Sequence, residues 1–245
     1  MAHNGKNVPD ILITNDDGVG SEGLARLAEA AREFGRVFVV APAHQNSAAS
    51  HSITLRHSIE VCPYDIAVDG VEAWSCSGTP ADCVRVGSLS VMPGKPDVVF
   101  SGINRGYNIA SDIQYSATAG AAFEAEFQGC LAIAFSEDDG DCHEVTDRYL
   151  REIIAELIEE PYIPGQIVNV NFPGCRLDEC NGILRDRRVS RLAYFEDHYN
   201  VVRKLPGGGM ELMVEGVHEP VTEEGSDYAA VLGNHVSVGR VRNIS

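Results

Sequence analysis

The feature that most constrains the fold is a regular alternation of short apolar runs and helical periodicities along the first two thirds of the chain. Residues 10–14 form an apolar, β-type run, residues 21–34 carry apolar side chains at helical spacing, and residues 37–40 form a second apolar run. This order predicts a strand–helix–strand unit, in which the right-handed crossover makes the two strands parallel.

The alternation continues far beyond this first unit. The pattern predicts a helix over 80–86, a strand over 97–101, a helix over 117–127, a strand over 131–135, a helix over 146–159 and a strand over 166–172. The apolar runs lack a clean two-residue alternation, which is typical of strands covered on both faces. We therefore predict an α/β fold with a Rossmann-like, doubly wound and mostly parallel sheet.

After Pro173 the chain becomes richer in charges and turns. A turn at 206–209 predicts a hairpin with Leu205 and residues 211–214 in its arms, followed by a helix over 226–232 and a strand over 236–238. We predict one domain over 1–245, with a core of about 8–172 plus 226–238. A C-terminal β-rich arm of about 174–222 would serve oligomerisation.

Charge and hydropathy exclude several classes of protein. Asp and Glu number 36 against 19 Lys and Arg, a formal net charge of −17, so the chain would repel a nucleic-acid polymer. No apolar run approaches the roughly 18 residues of a membrane span, and residues 1–9 lack the apolar segment of a signal peptide. We expect a cytoplasmic protein. The scarcity of Lys is typical of proteins from a salt-rich cytoplasm, and an ordinary acidic protein is an equal alternative.

The strongest local signal is the pair Asp16 and Asp17, which directly follows the first predicted strand. Parallel α/β sheets bind their ligands at this edge. Two adjacent carboxylates there repel each other unless a positive charge lies between them, and Mg²⁺ or Mn²⁺ prefers such oxygen ligands. The pattern indicates a divalent metal site, with a solvated Asp-Asp-Gly turn as the alternative.

A second interpretation of the same region is a dinucleotide site, because Gly18, Gly20 and Gly23 match the G-x-G-x-x-G fingerprint. A pyrophosphate would then lie against two aspartates, and the second strand ends at 40–43 without the carboxylate that holds a ribose. We therefore assign the glycines to turn geometry and close helix packing, and an NAD-dependent oxidoreductase is disfavoured.

Three further polar segments converge on the same sheet edge. Residues 44–54 follow the second strand, residues 101–108 follow the third, and residues 115–122 begin an alanine-rich helix. They bring hydroxyls, amide oxygens and a helix N-terminus, which is a natural anion site, to the aspartates. Hydrolysis of a phosphate ester with the help of a metal ion needs this set of groups.

These segments, together with 77–84, Asp227-Tyr228 and 236–238, resemble in order those of the SurE (survival protein E) family of metal-dependent 5′/3′-nucleotidases. The resemblance implies a phosphomonoesterase related to acid phosphatases. Its substrates would be nucleoside 5′- and also 3′-monophosphates and short polyphosphate, and it would form homodimers or homotetramers. One Mg²⁺ or Mn²⁺ would bind to Asp16, Asp17, Ser47 and Asn104. Phosphate would bind to Asn108, Ser116 and Thr118, and the catalytic residues would be Asp16, Asp17 and Asn108.

One departure from the family pattern falls in the phosphate segment. Ala117 stands where the family has Gly, and a positive φ at this position would strain an alanine and weaken phosphate binding. This departure favours an alternative hypothesis, in which the chain binds nucleotides without hydrolysing them.

Overall fold

The computed structural model describes residues 8–218 and 221–243. Its strands are β1 (Asp10–Thr14), β2 (Arg36–Pro42), β3 (Val61–Tyr64), β4 (Glu72–Cys76), β5 (Val98–Arg105), β6 (Leu131–Glu137), β7 (Gln166–Phe172), β8 (Ile183–Leu184), β9 (Phe195–Lys204), β10 (Met210–His218) and β11 (Val236–Arg242). Its α-helices are α1 (Glu22–Ala31), α2 (Pro80–Val86), α3 (Ala117–Phe127), α4 (Glu144–Leu157) and α5 (Asp227–Leu232). Within these described ranges, no helix has both the length and the apolarity to cross a membrane.

Nine strands form one sheet in the order β3-β4-β2-β1-β5-β6-β7-β11-β8. The neighbours from β4 to β7 pair in parallel, as do β11 and β8, whereas β3 with β4 and β7 with β11 are antiparallel. The predicted doubly wound, mostly parallel α/β sheet is confirmed. After β1 the chain first builds outward through β2, and it later returns to the other side of β1 with β5. The edge between β1 and β5 is therefore the switch point of the sheet, where ligands bind in folds of this kind.

The sheet is covered on both faces, as the uninterrupted apolar runs predict. One buried cluster joins Leu24 and Leu27 of α1 with Ile153 and Ile154 of α4. The other lies under α2 and α3, with the small side chains of α3 packed against β5 and β6. Helices α1 and α4 thus lie on one face of the sheet, and α2 and α3 on the other.

Three strands and most of the hairpin differ from the sequence-based expectation. β3 and β4 extend the sheet at one edge, where no strand was predicted. The hairpin strands β9 and β10 are longer than predicted and form a separate two-stranded sheet. β8, which lies inside the predicted arm, pairs with β11 in the main sheet.

Close packing between α1 and β5 depends on Gly23. A Cβ atom at this position would overlap the backbone carbonyl of Ile103 in β5. This is the packing role assigned to the glycine from the sequence, and it sets how near α1 approaches the switch point.

We predict that Gly23→Ala destabilises the protein by about 1–3 kcal/mol, because α1 must move away from β5. An alanine replacing glycine in an exposed helix instead stabilises by about 0.5–1 kcal/mol. Urea unfolding measures the difference. Gly94→Ala, where an added Cβ meets nothing within 4 Å, is the control, and equal stability of Gly23→Ala and the wild type would contradict this packing role.

Candidate active site

The turn after β1 is held by Asn15, which precedes the two aspartates. Its side-chain amide donates to the carbonyl of Gly18 at 3.0 Å and to the hydroxyl of Ser21 at 2.7 Å, and its side-chain oxygen accepts from the N–H of Gly18 at 3.2 Å. Gly18 has φ +103°, a conformation that favours glycine. This turn directs Asp16 and Asp17 toward the switch point. Asn15 was not singled out from the sequence, although the tendency of asparagine to bond to the backbone of a turn is a usable signal.

Asp16 is a buried carboxylate, only 4% exposed. Its Oδ1 accepts a hydrogen bond of 2.5 Å from the hydroxyl of Thr118 in α3. Burial, with a smaller contribution from the charge of Asp17, raises the pKa of Asp16 to about 6, despite the opposing effect of the Thr118 hydrogen bond. Thr118, predicted as a phosphate ligand, thus directs its hydroxyl to the aspartate.

Asp17 is the more accessible of the two. Its Oδ2 accepts from the backbone N–H of Arg105 at 3.1 Å, and its Oδ1 lies 3.5 Å from the side-chain amide of Gln45. The same Gln45 amide donates to the hydroxyl of Ser47 at 3.0 Å. Burial raises the pKa of Asp17 and outweighs the Arg105 N–H and Gln45 contacts, which lower it. Gln45 therefore links Asp17 to Ser47, a role that the sequence did not reveal.

The loop that carries Ser47 is held in an unusual conformation. Ala48 and Ser50 have φ of 59° and 53°, in the left-handed region that non-glycine residues rarely adopt. The N–H of Ser50 donates to the carbonyl of Tyr115 at 3.0 Å, and its hydroxyl donates to the carbonyl of Gln114 at 2.8 Å. A Cβ on Gly120 of α3 would overlap the carbonyl of Ser50. The loop is thus fitted against the N-terminal part of α3.

Asp82 holds the far end of this loop. Its two carboxylate oxygens accept from the N–H of Thr54 at 3.0 and 3.1 Å, and it forms a capping box with Thr79 at the start of α2. The Thr79 hydroxyl donates to the carbonyl of Ser52 at 2.6 Å. Burial opposes ionisation of Asp82, but these hydrogen bonds outweigh it and lower its pKa. The 77–84 segment therefore positions the Ser47 loop, and the Thr79-x-x-Asp82 spacing is the signal that predicts a cap.

The two asparagines of the third segment have different surroundings. Asn104 lies in β5, and its side-chain N–H donates to the carbonyl of Gly106 at 2.7 Å, which orients its Oδ1 as an acceptor. Asn108 is buried, and its side-chain amide donates to the hydroxyl of Ser136 at 2.8 Å. Asn169 and Asn171 of β7 hold its backbone. Within the described ranges no hydrogen bond joins Asn108 to either aspartate.

The N-terminus of α3 faces the aspartates. The Ser116 hydroxyl caps the helix by accepting from the N–H of Ala119 at 3.0 Å. The N–H groups of Ala117 and Thr118 have no acceptor among residues 8–218 and 221–243. Ala117 is the first residue of the helix and has no positive φ. The condition for strain at this position, a positive φ, is not met, because the alanine adopts helical backbone.

The residues at this edge fit a hard divalent cation. Of the residues that the structure describes, no Lys, Arg or His side-chain nitrogen lies within 4 Å of either aspartate. The second oxygen of each carboxylate accepts no hydrogen bond shorter than 3.5 Å from another described residue. No group of three or more His, Cys, Asp and Glu side chains in the described ranges is arranged to hold a metal. An ion here would therefore need the hydroxyl of Ser47 and the amide oxygen of Asn104 in addition to the two carboxylates.

Comparisons with known proteins give a consistent result. The family model described as Survival protein SurE matches residues 11–194. A 5′/3′-nucleotidase SurE from Shigella dysenteriae serotype 1 (strain Sd197) is 37% identical over 237 residues, covering 95% of this chain and 89% of that protein. A 5′-nucleotidase SurE from Thermosipho melanesiensis is 34% identical, covering 94% and 89%. The crystal structure of the SurE protein from Aquifex aeolicus superposes with a TM-score of 0.81 at 33% identity, covering 97% of this chain and 95% of that one.

The raised pKa of Asp16 predicts an unusual effect of removing its charge. A carboxyl whose pKa is higher in the folded than in the unfolded protein takes up a proton on folding, so its ionised form destabilises the fold. With the pKa raised from 3.8 to about 6, this cost is absent below pH 3.8 and complete above pH 6, where it reaches about 3 kcal/mol. Wild-type protein free of divalent cations should therefore lose stability as the pH rises through this window.

We predict that Asp16→Asn, which keeps an oxygen for Thr118, is more stable than the wild type at pH 7.5 in EDTA by up to about 3 kcal/mol. The advantage should vanish as the pH falls toward 4. Chemical unfolding across this pH range measures it, with Asp69→Asn, at an exposed position, as the control. A wild type as stable as Asp16→Asn at every pH would contradict the assignment of a charged, desolvated Asp16.

Proposed function

We propose that this chain, which belongs to the survival protein SurE family, is a phosphomonoesterase that depends on a divalent cation. Its substrates would be nucleoside 5′-monophosphates, with 3′-monophosphates and short polyphosphate as further substrates to test. The relatives from Shigella and Thermosipho are named as nucleotidases, which supports this class of substrate. The observation that carries the proposal is the pair of desolvated aspartates, with no cationic side-chain nitrogen of the described residues within 4 Å, beside the open N-terminus of α3.

Four residues would hold one Mg²⁺ or Mn²⁺: Asp16, Asp17, Ser47 and Asn104. A bound divalent cation supplies polarisation of the phosphoryl group and a water molecule of lowered pKa. Gln45 keeps Ser47 beside Asp17, and the Thr118 hydroxyl keeps Asp16 in place. Both contacts orient the oxygen donors before the cation or the substrate binds. Hydrogen bonds to metal-ligating side chains have this role in other proteins.

The phosphoryl oxygens would be bound by the backbone N–H groups of Ala117 and Thr118 and by the side chains of Ser116 and Asn108. These N–H groups carry the positive end of the α3 dipole. Donors that are fixed before the reaction stabilise the negative charge that develops on a phosphoryl group during transfer. Because Ala117 adopts helical backbone, backbone strain gives no reason to favour the non-catalytic alternative.

We predict that phosphate release from nucleoside monophosphates requires Mg²⁺ or Mn²⁺ and stops in EDTA. Asp17→Asn should lower the rate of phosphate release by at least about 100-fold. Loss of a residue that supports a metal ligand through a hydrogen bond typically costs 10–100-fold, and loss of the ligand itself should cost more. A panel of 5′- and 3′-monophosphates and tripolyphosphate, assayed for inorganic phosphate, measures both effects.

Asp69→Asn is the control for this assay, because it removes the same charge from an exposed position. Full activity of a folded Asp17→Asn protein would contradict the assignment of the site. Tight binding of nucleotides without phosphate release by the wild type would instead support the non-catalytic alternative.

A homo-oligomer is also part of the proposal, with the β9–β10 hairpin as the contact. Tyr199 lies opposite Val214, and Val201 lies opposite Leu212. Paired residues share one face of a hairpin, and these four side chains are 47–67% exposed. A continuous apolar stripe of this kind is typical of a surface that contacts another protein.

We predict that Val201→Asp lowers the oligomeric mass measured by light scattering, because it introduces a charge into the apolar stripe. Met213→Asp is the matched control and should have the smaller effect, because Met213 lies between Leu212 and Val214 on the opposite face of β10 and is also exposed. A monomeric wild type would contradict this part of the proposal.

A further inference from the structure

A further buried carboxylate lies at the start of α5, far from Asp16 and Asp17 in the sequence. Asp227 is 4% exposed. Asp227 and Tyr228 belong to the segments by which the sequence resembles the family, and the proposed chemistry gives neither of them a role. Burial raises the pKa of Asp227 and outweighs the backbone N–H groups that lower it. A carboxylate kept in such surroundings at a cost to stability is a candidate for a functional role.

The carboxylate of Asp227 accepts hydrogen bonds from three backbone N–H groups. Its Oδ1 accepts from the N–H of Ser190 at 2.9 Å and from the N–H of Tyr228 at 2.7 Å. Its Oδ2 accepts from the N–H of Ala110 at 3.2 Å. Ser190 lies in the segment that leads into β9, and Ala110 begins a short 3₁₀ helix (Ala110–Gln114) that precedes α3. One carboxylate thus joins α5 to two segments that are distant in the sequence.

The backbone of Ala110 has an unfavourable conformation that these contacts hold in place. Its φ is 51°, in the left-handed region that costs free energy for an alanine. Ile109 and Ala110 pack in one buried cluster with Tyr228 and Val231 of α5. Helix α5 therefore holds this segment through apolar packing and through the hydrogen bond to Asp227, which offsets part of the cost of the left-handed backbone.

The segment around Ala110 connects two parts of the proposed phosphate site. Asn108 lies two residues before Ala110, and its backbone is fixed by hydrogen bonds to β7. The 3₁₀ helix that begins at Ala110 leads to Ser116, the cap of α3. The conformation of Ala110 therefore sets the position of Asn108 relative to the N-terminus of α3.

We infer that Asp227 is a positioning residue for phosphate binding, because it holds Ala110 in the conformation that brings Asn108 and the N-terminus of α3 together. The inference rests on the proposed function, since it concerns the groups that would bind the phosphoryl oxygens. Asp227 then determines the fraction of the protein that is ready to bind phosphate. The apparent dissociation constant rises as this fraction falls. The rate at saturation does not change, because all molecules that have bound substrate share one conformation.

The substitution Asp227→Asn separates the contacts of this carboxylate. An asparagine keeps one oxygen and replaces the other by an NH₂ group, which cannot accept a hydrogen bond. The oxygen belongs on the Oδ1 side, where the N–H groups of Ser190 and Tyr228 both need an acceptor. The NH₂ group then faces the N–H of Ala110, so the variant loses the Ala110 contact and keeps the other two.

Asp227→Asn should raise the dissociation constant of inorganic phosphate and the KM for AMP about tenfold, a change equivalent to about 1.4 kcal/mol. The value of kcat and the affinity for Mn²⁺ should stay within about twofold, because the competent conformation itself is unchanged. Calorimetric titration of phosphate in the presence of Mn²⁺ and steady-state kinetics measure these effects. Glu126→Gln is the matched control, because Glu126 is also buried and accepts from a backbone N–H, that of Gly165, at 2.6 Å.

A second substitution tests whether the effect passes through Ala110. Ala110→Gly in the Asp227→Asn background removes the Cβ atom that makes the left-handed backbone costly. It should lower the dissociation constant of phosphate at least about threefold relative to Asp227→Asn alone. A general loss of stability would not be reversed in this way, since a glycine also makes the unfolded chain more flexible. No recovery of phosphate affinity in the double variant would overturn the inference.

Hydrogen exchange in the wild type gives a measurement that needs no variant. Phosphate with Mn²⁺ should slow the exchange of the Ala110 N–H, because binding selects the conformation in which Asp227 accepts it. At a phosphate concentration of about 100 times the dissociation constant, the slowing can reach about 100-fold. The N–H of Gly165, which Glu126 accepts, should be slowed less. Equal slowing at both positions would overturn the inference.

The outcomes separate this inference from the proposed function. A wild type that binds phosphate with Mn²⁺ but releases none from AMP would contradict the proposed function, and weaker phosphate binding by Asp227→Asn would still support the inference. An unchanged phosphate affinity in Asp227→Asn, with normal turnover by the wild type, would overturn the inference alone. An equal loss of Mn²⁺ and phosphate affinity, or the same loss in Glu126→Gln, would overturn it too, because Asp227 would then only stabilise the fold.

Discussion

The architecture of this edge of the sheet follows from one unfavourable constraint, the burial of two adjacent carboxylates away from water. Burial raises the pKa of both Asp16 and Asp17. The surrounding contacts hold this arrangement without neutralising it, since Thr118 and the Arg105 backbone donate single hydrogen bonds. A protein optimised for stability alone would not keep such a pair. A cation bound between the carboxylates would offset the cost, and this is the physical basis of the proposed metal centre.

The fold makes this arrangement possible by bringing separate segments to the switch point. The turn after β1 supplies the aspartates, the loop after β2 supplies Ser47, and β5 supplies Asn104. Loops are often mobile, and the Ser47 loop also contains two left-handed residues. It is therefore held at both ends, by α3 through Ser50 and by Asp82 through Thr54. The orientation of the donors thus depends on contacts made far from the aspartates in sequence.

The elements with clear hydrophobic periodicity were predicted well. α2, α3 and β7 have the predicted bounds, because a proline at a helix start, an alanine-rich run and an apolar run are strong local signals. β3 and β4 were missed because both have mixed polarity. β3 is the edge strand and contains Pro63, which is tolerated only at an edge, and β4 is the strand next to it. The hairpin was predicted too short because β9 is exposed along its whole length, so burial imposes no pattern on its sequence.

In the candidate site, too, residues with a clear local signal were predicted and residues without one were not. Asp16 and Asp17 could be found because adjacent carboxylates after a strand have a direct chemical meaning, whereas Ser47 and Asn104 depended on the family resemblance. Gln45 acts through a contact with the distant Asp17, and no local pattern reports such a contact. The strain considered at Ala117 depended on a positive φ that the structure does not have, since a motif does not reveal the backbone conformation of its residues.

The measurement that tests the central claim most directly is a crystal structure of the protein grown with Mn²⁺, with anomalous scattering used to locate the ion. The account predicts an anomalous peak between the carboxylates of Asp16 and Asp17, within bonding distance of Ser47 and Asn104, and its loss in Asp16→Asn. A structure in which Mn²⁺ binds elsewhere, with the two aspartates free of any ion at saturating concentration, would contradict it.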